Sequence, residues 1–327
     1  MNRCIVRRVS RLVPVVVAVA LTIGCGGDSP AVPTPSPSAP PPSDPLVTFT
    51  GRVSATNGQQ RLPNVTASFP PSYTAVTDAA GTFTMRFLPG TTSRLSLEAD
   101  TIVPRSLVAS VNQTRILEAD AIALGPEFDL KFYRQLVRDD YDQPGILRPL
   151  RRWMQAPQIY LRTINNGGEP IDASSLELTE RVIRETASQW TGGRFGVASV
   201  ERGTESREGV PGWITVKWAP SSGQLCGIAD VAVSGGMIEL YTRGGCRCAG
   251  GPTVDVSVVR HELGHAFGFF HTDSKNDVMW YQDVNCNKDV SDRERYHAKI
   301  AYARPMGNTD PDTDPVSAVY LAPMRVR

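Results

Sequence analysis

Residues 261–271 read HELGHAFGFFH, and they hold three of the chain's four histidines. On a helix, His261 and His265 stand one turn apart on a shared face. Val256, Val259, Leu263 and Phe267 recur at three- and four-residue steps on roughly the opposite face. The pattern predicts a helix that begins near Thr253, after Gly250, Gly251 and Pro252, with one side packed into a core and two imidazoles offered to a cavity. Gly268 permits the left-handed residue that ends such a helix. The chain then turns, and His271 can return as a third imidazole from another direction.

Zinc suits this set, because imidazole nitrogens hold it at about 2.0–2.1 Å and catalytic sites keep three protein ligands plus water. Three neutral imidazoles leave a dication's charge uncompensated, so water there is acidified toward a pKa of about 7. Glu262, beside the first ligand but rotated around the helix, is placed to accept that proton and pass it to a departing amine. HExxH alone arises by chance; five specified residues at fixed spacing in so histidine-poor a chain are far more specific.

HELGHAFGFFH resembles the extended motif HExxHxxGxxH of the metzincin zinc metallopeptidases. That clan also carries a methionine turn, and NDVMWY at 276–281 looks like it; Met279 follows His271 by eight residues, the interval of matrixin-like members. The resemblance implies that Met279 forms an apolar floor under the ligands without binding the metal. Tyr281 matches the position of the metal-side tyrosine of astacin-like and serralysin-like members, which implies a catalytic role. Those members have longer intervals, so a wall residue of the substrate pocket stays open as the other reading. RRWMQAPQIYLRT (151–163) resembles the tryptophan and first strand that open a matrixin-type domain. MIELYT (237–242) falls where the clan has its edge strand, which implies that Ile238, Glu239 and Leu240 pair with an extended substrate. The chain departs from the family in two respects: no PRCGxPD-like cysteine switch precedes the domain, and no histidines remain for a matrixin structural zinc site.

Around this motif the periodicities predict an α+β domain over residues 128–305, which the resemblance makes zincin-type. QIYLRT (158–163), WITVKW (213–218) and MIELYT read as strands. Between the first two, Leu176, Ile183, Ala187 and Trp190 recur at helical spacing behind a Ser174–Glu177 capping-box pattern. SDRERYHAKIAYARP reads as the final helix, with His297 expected at the surface. Asp310, Asp312 and Asp314 alternate in a way that suits calcium, but no loop-closing carboxylate follows at an EF-hand spacing. A solvated acidic tail over 306–327 is therefore expected.

Residues 47–124 read as strands throughout. Phe83, Met85 and Phe87 alternate, as do Leu95, Leu97 and Ala99, with turn signals at DAAG (78–81) and LPG (88–90). A small β-sandwich follows from that spacing. The wording FTGRVSATNG…LPNVTASF…AVTDAAGTFTMRFLPGT resembles the carboxypeptidase regulatory-like, transthyretin-like domain of secreted proteins. It carries no catalytic constellation, and both a spacer role and a carbohydrate- or protein-binding role stay open.

The amino terminus carries Arg3, Arg7, Arg8 and Arg11 with no acid, followed by the apolar run LVPVVVAVALTIG. Thirteen residues interrupted by Pro14 are too few to span a bilayer as a helix, so residues 1–24 read as a signal peptide. LTIGC resembles a bacterial lipoprotein box that makes Cys25 the lipidated first residue, although Thr22 stands where Leu is usual. Residues 25–46 are rich in proline and serine, a stiff tether. Loss of the signal lowers Lys plus Arg from 34 to 30 against 33 Asp plus Glu, and this balance gives no reason to expect a nucleic-acid partner. Beyond Cys25 the mature chain has Cys226, Cys246, Cys248 and Cys286, enough for two disulfides in an oxidising compartment. Cys246 and Cys248 are too close to pair with each other, so each is expected to reach Cys226 or Cys286.

The sequence thus points to a monomeric zinc-dependent endopeptidase that acts on protein or peptide substrates outside the cytoplasm. It is expected in a bacterial cell envelope, held to the membrane by lipid, or secreted. Two rivals stay open: a zinc hydrolase acting on a non-peptide or glycosylated substrate, and a surface binding protein with a vestigial zinc site.

Overall fold

Period-two alternation builds two sheet systems within residues 44–327, which form one unit. The structure is a computed structural model that describes residues 46–326 apart from 57, 59, 71, 88–91, 111–115, 221–224, 243–253 and 283–287. The signal sequence, Cys25, most of the tether, the LPG turn, Cys246, Cys248, Cys286 and the helix start near Thr253 lie outside the described residues.

The first system has seven strands: β1 (Val47–Ala55), β2 (Thr66–Phe69), β3 (Tyr73–Val76), β4 (Thr82–Phe87), β5 (Thr92–Glu98), β6 (Arg105–Ser110) and β7 (Leu117–Ala121). They form sheets of order β4-β1-β7 and β3-β2-β5-β6. Phe83, Met85, Phe87, Leu95 and Leu97 are buried as their alternation predicts, while Ala99 is half-buried. Phe49 of one sheet meets Phe69 of the other edge-on at 5.7 Å, a geometry that adds to the area these rings bury.

The second system runs α1 (Leu130–Arg138), β8 (Gln158–Arg162), α2 (Ala173–Trp190), β9 (Ser199–Gly203), β10 (Trp213–Ala219), β11 (Gly227–Asp230), β12 (Gly236–Tyr241), α3 (Val256–Ala266), α4 (Asp292–Ala303) and β13 (Arg325–Val326). Its six-stranded sheet has the order β13-β11-β12-β10-β8-β9. The run β12-β10-β8-β9 is parallel, whereas β11 is antiparallel to both β12 and β13. Alternate residues Ile159, Leu161, Ile214, Val216, Ile238 and Leu240 share one core with Ile183, Trp190, Val258 and Leu263 of the helices. The architecture is α+β.

Four sequence expectations need correction. Ile238, Glu239 and Leu240 lie on β12, an interior strand flanked by β10 and β11, so their backbone is already paired on both sides. Beyond β12 lies β11, with β13 on its outer side. Among the described residues β13 covers only Ala229 and Asp230, and Gly227 and Ile228 pair on one side alone. Helix α2 is capped by Asp172, which accepts from the amide of Ser175 at 2.8 Å, and not by Ser174, whose hydroxyl donates to the same aspartate. His297 is fully buried: it stacks on Phe128 and its Nε2 accepts from the amide of Asp129 at 3.1 Å. It joins α4 to the start of α1, a helix that the sequence reading had not assigned.

The fourth correction concerns the aspartates of the acidic tail, which are not solvated, although Val316 and Tyr320 beyond them are exposed. Asp312 is 1% exposed and accepts from Arg304 Nε at 2.7 Å, Arg105 Nη1 at 2.9 Å and Asn308 Nδ2 at 2.9 Å. Asp314 meets Arg105 at 3.0 Å, and Asp310 meets Arg134 at 2.8 Å. Each carboxylate suggested for calcium thus already faces a guanidinium. Arg304, fully buried at the end of α4, also reaches Asp120 and Thr56 of the sandwich. Ser106 of β6 exchanges backbone bonds with Asp312 and Asp314 at 3.0 and 2.8 Å. A seam of buried charge therefore stitches the sandwich to the helical part. Pairing and added hydrogen bonds offset the cost of taking such guanidinium and carboxylate groups out of water.

Candidate metal centre

The site begins with how α3 starts and stops. Asp255 accepts from the amide of Ser257 at 2.7 Å and caps the amino end. At the other end Gly268 takes φ 112. A Cβ there would lie 2.3 Å from the carbonyl oxygen of Arg151, so only glycine fits. Carbonyls that the helix leaves without partners are taken by side chains from elsewhere. The indole of Trp153 donates to Ala266 O, and the hydroxyl of Tyr302 to Phe267 O, both at 2.8 Å. Helix ends buried without such partners are costly.

This frame brings together the three histidines that the sequence singled out. Their Nε2 atoms lie 3.0 Å (His261–His265), 3.2 Å (His261–His271) and 3.2 Å (His265–His271) apart. They form the one group of metal-ligand type found among the described residues. Each Nδ1 faces a fixed acceptor. His261 Nδ1 donates to Val278 O at 2.7 Å, His265 Nδ1 to Phe269 O at 2.8 Å, and His271 Nδ1 to Asp142 Oδ2 at 2.8 Å. A carbonyl oxygen can only accept, so in neutral rings the proton sits on Nδ1 and the Nε2 lone pairs converge. Burial, reinforced by the neighbouring rings, holds His261 down to about 3 and His265 well below the usual histidine range, which favours the neutral rings. Converging lone pairs repel unless a cation lies between them. Three nitrogens on a tetrahedral ion at about 2.0–2.1 Å are about 3.3–3.4 Å apart, close to the spacing observed. The donor set fits zinc.

Glu262 lies on the same helix and is 5% exposed. Burial raises its carboxyl well above the usual range, and its Oε2 has no hydrogen-bond partner among the described residues. Gly227, the first residue of β11, makes room for it: a Cβ there would stand 2.5 Å from Glu262 Oε1. The start of β11 therefore passes directly beside this carboxylate.

Met279 is fully buried, and its sulfur occupies the notch left by Gly264, where a Cβ would meet Sδ at 2.4 Å. The turn that carries it is held from two sides. Thr272 N donates to Met279 O at 2.9 Å, and Met279 N donates to Glu294 Oε1 at 2.8 Å. Glu294 also closes the capping box of α4 with Ser291, and burial with help from Asp277 pushes its carboxyl up to about 7. Tyr281 is 47% exposed and lies against the ring of Tyr141 at 5.5 Å. Ile238, Glu239 and Leu240 lie one strand farther in, on β12. Cys226, next to Gly227, is disulfide-bonded.

Sequence reasoning missed Asp142, Tyr141, Glu294 and Gly227. The SxxE pattern at Ser291–Glu294 was available as a capping signal; contacts between distant segments leave no local signature.

No family model matches the chain, and no curated protein matches it. Among solved structures, the chain is similar to an N-terminal interface mutant of a type II cohesin–X-dockerin complex from Acetivibrio cellulolyticus. That match has 17% identity and a TM-score of 0.20, and it covers 24% of this chain and 58% of that one. A C-terminal interface mutant of the same complex gives 16% identity and a TM-score of 0.21, covering 26% of this chain and 66% of that one. A GH20 exo-β-N-acetylglucosaminidase from Vibrio harveyi gives 9% identity and a TM-score of 0.18, covering 61% of this chain and 35% of that one. Similarity this low carries no inference about fold or function.

Proposed function

We propose that the chain is a zinc-dependent endopeptidase of metzincin, matrixin-like type. The observation that carries this reading is the convergence of three Nε2 lone pairs beside a buried carboxylate that lies against the end of β11, which β13 leaves uncovered among the described residues. His261, His265 and His271 would hold the metal, with Met279 packed against α3 as an apolar floor. A bound zinc supplies a Lewis acid that acidifies water toward a pKa of about 7.

The chain's own residues account for the rest. Glu262 takes a proton from water on its carboxylate as the water oxygen bonds to the scissile carbonyl carbon. It then returns that proton to the amine nitrogen as the C–N bond breaks. Among the described residues Gly227 and Ile228 have no strand partner on their outer side, where an extended peptide can align as an added strand, the role first assigned to β12. The sandwich is read as a carboxypeptidase regulatory-like module. No helix among the described residues is long and apolar enough to cross a membrane. The signal and lipoprotein box favour a chain tethered through Cys25 in a bacterial envelope.

The test is cleavage of an unstructured protein by the full chain, with zinc content measured on the same samples. Glu262→Gln should keep fold and zinc while losing at least about 10²–10⁴-fold in rate. His261→Ala should lose the metal as well, because a ligand and a base fail differently. A folded, zinc-loaded parent that cleaves no peptide in a diverse library would put the non-peptide and binding readings ahead.

A further inference from the structure

Asp142 stands 129 residues before the histidine it touches, on the segment that follows α1. We propose that it is a positioning residue of the metal centre: its carboxylate fixes the ring of His271 and adds a full negative charge behind the third ligand. This inference rests on the zinc reading.

The three rings are held in unequal ways. His261 and His265 belong to α3, so their positions follow from one helix, and neutral carbonyls hold their Nδ1 atoms. His271 lies beyond the helix, on a segment docked against α1. Phe270 N donates to Leu136 O at 2.8 Å, and Asp273 N donates to Gln135 Oε1 at 3.3 Å. Lys131 pairs with Asp273 at 2.5 Å. Helix α1 and its following loop therefore place the third ligand, independently of α3.

A backbone docked in this way still leaves the imidazole free to turn about its side-chain torsions. Asp142 Oδ2, 2.8 Å from Nδ1, removes that freedom and leaves Nε2 facing the other two rings. The pair sits at a boundary: His271 is 5% exposed in its side chain and Asp142 34%. The neighbouring buried carboxylate, Asp139, is instead turned to Arg148 at 2.6 Å. Three imidazoles supply no charge against a dication, and Asp142 brings a carboxylate into direct contact with the ligand set. Outer partners of this kind typically account for about 10–100-fold in metal affinity.

The experiment titrates the full chain with zinc against a chelating indicator, follows zinc release into excess chelator, and records the visible spectrum of the cobalt-substituted protein. Asp142→Ala should weaken zinc by about 10–100-fold, speed its release and alter the cobalt bands. Asp142→Asn keeps an acceptor oxygen without the charge, so it should fall between parent and alanine variant. Asp140→Ala disturbs the same loop, where Asp140 accepts from Gly145 N, and should bind zinc as the parent does. Should Asp142→Ala fail to fold, the asparagine variant carries the comparison. Parental zinc affinity and release in a folded Asp142 variant would overturn the proposal, as would an equal loss in Asp140→Ala. A folded parent that binds no zinc would instead remove the metal reading on which it rests.

Discussion

Gly227→Ala is the sharpest probe of the relation between β11 and the buried carboxylate. Backbone pairing of Gly227 with Leu240 holds the strand in place, so the new methyl group must be accommodated by Glu262. The methyl carbon would stand 2.5 Å from Oε1 and 2.6 Å from both Cδ and Cγ. To regain ordinary contact the carboxyl group must retreat by about 0.9 Å, and misplacement near 1 Å costs on the order of 10²-fold in rate. The histidines are untouched, so zinc content should stay at the parental level. Overpacking should cost about 1–3 kcal/mol of stability, read from urea unfolding. The decisive assay compares kcat/KM for parent, Gly227→Ala, Glu262→Gln and the double variant. If the methyl acts by displacing Glu262, the double variant should be no worse than Glu262→Gln alone, because residues acting as a unit are strongly non-additive. Additive losses would place the effect of Gly227 elsewhere, on substrate pairing, and parental activity in Gly227→Ala would refute the geometry outright.

Three further outcomes are expected. Asp312→Ala leaves Arg304 and Arg105 buried and short of their acceptor, and should destabilise the chain by about 3–5 kcal/mol in urea unfolding; a change within experimental scatter would show the seam to be inert. Glu294 holds its proton up to about pH 7 in the folded chain against an ordinary value of 4.5. Its contribution is thus fully present below about 4.5 and lost as pH rises through about 7, on the order of 3 kcal/mol. The stability difference between parent and Glu294→Gln should shift across that window, and a difference independent of pH would remove Glu294 as its source. Tyr281→Phe should cost less than the roughly 10²-fold minimum of an acid–base group, because its ring lies against Tyr141; a larger loss of kcat at unchanged zinc content would restore a catalytic tyrosine.

The parts of the molecule that were legible in sequence are those written in short periods. The helix that carries His261 and His265, the break at Gly268 and the sandwich strands around Phe83 and Leu95 all follow from spacings of two, three or four residues. Burial of Met279 was expected from the resemblance of NDVMWY to a methionine turn. What was illegible is long-range. The interior place of β12 depends on β11 folding back against it, which no property of MIELYT reveals. Asp310, Asp312 and Asp314 read as solvated because acids usually are, and only the tertiary fold supplies Arg134, Arg105 and Arg304. His297 was misjudged for the same reason: its aromatic partners Phe128 and Phe132 lie more than 160 residues away in the chain.

The seam around Asp312 bears on how such a chain can be shuffled over generations. A module joined by a flexible linker can be exchanged, duplicated or lost without harm to its neighbour. Here Thr56 and Asp120 of the sandwich satisfy Arg304 of α4, while Arg105 of the sandwich satisfies Asp312 and Asp314 from beyond that helix. Excision of the sandwich would leave Arg304, Asp312 and Asp314 with fewer hydrogen-bond partners than they have here. A substitution on one side of the seam therefore constrains which residues the other side can accept.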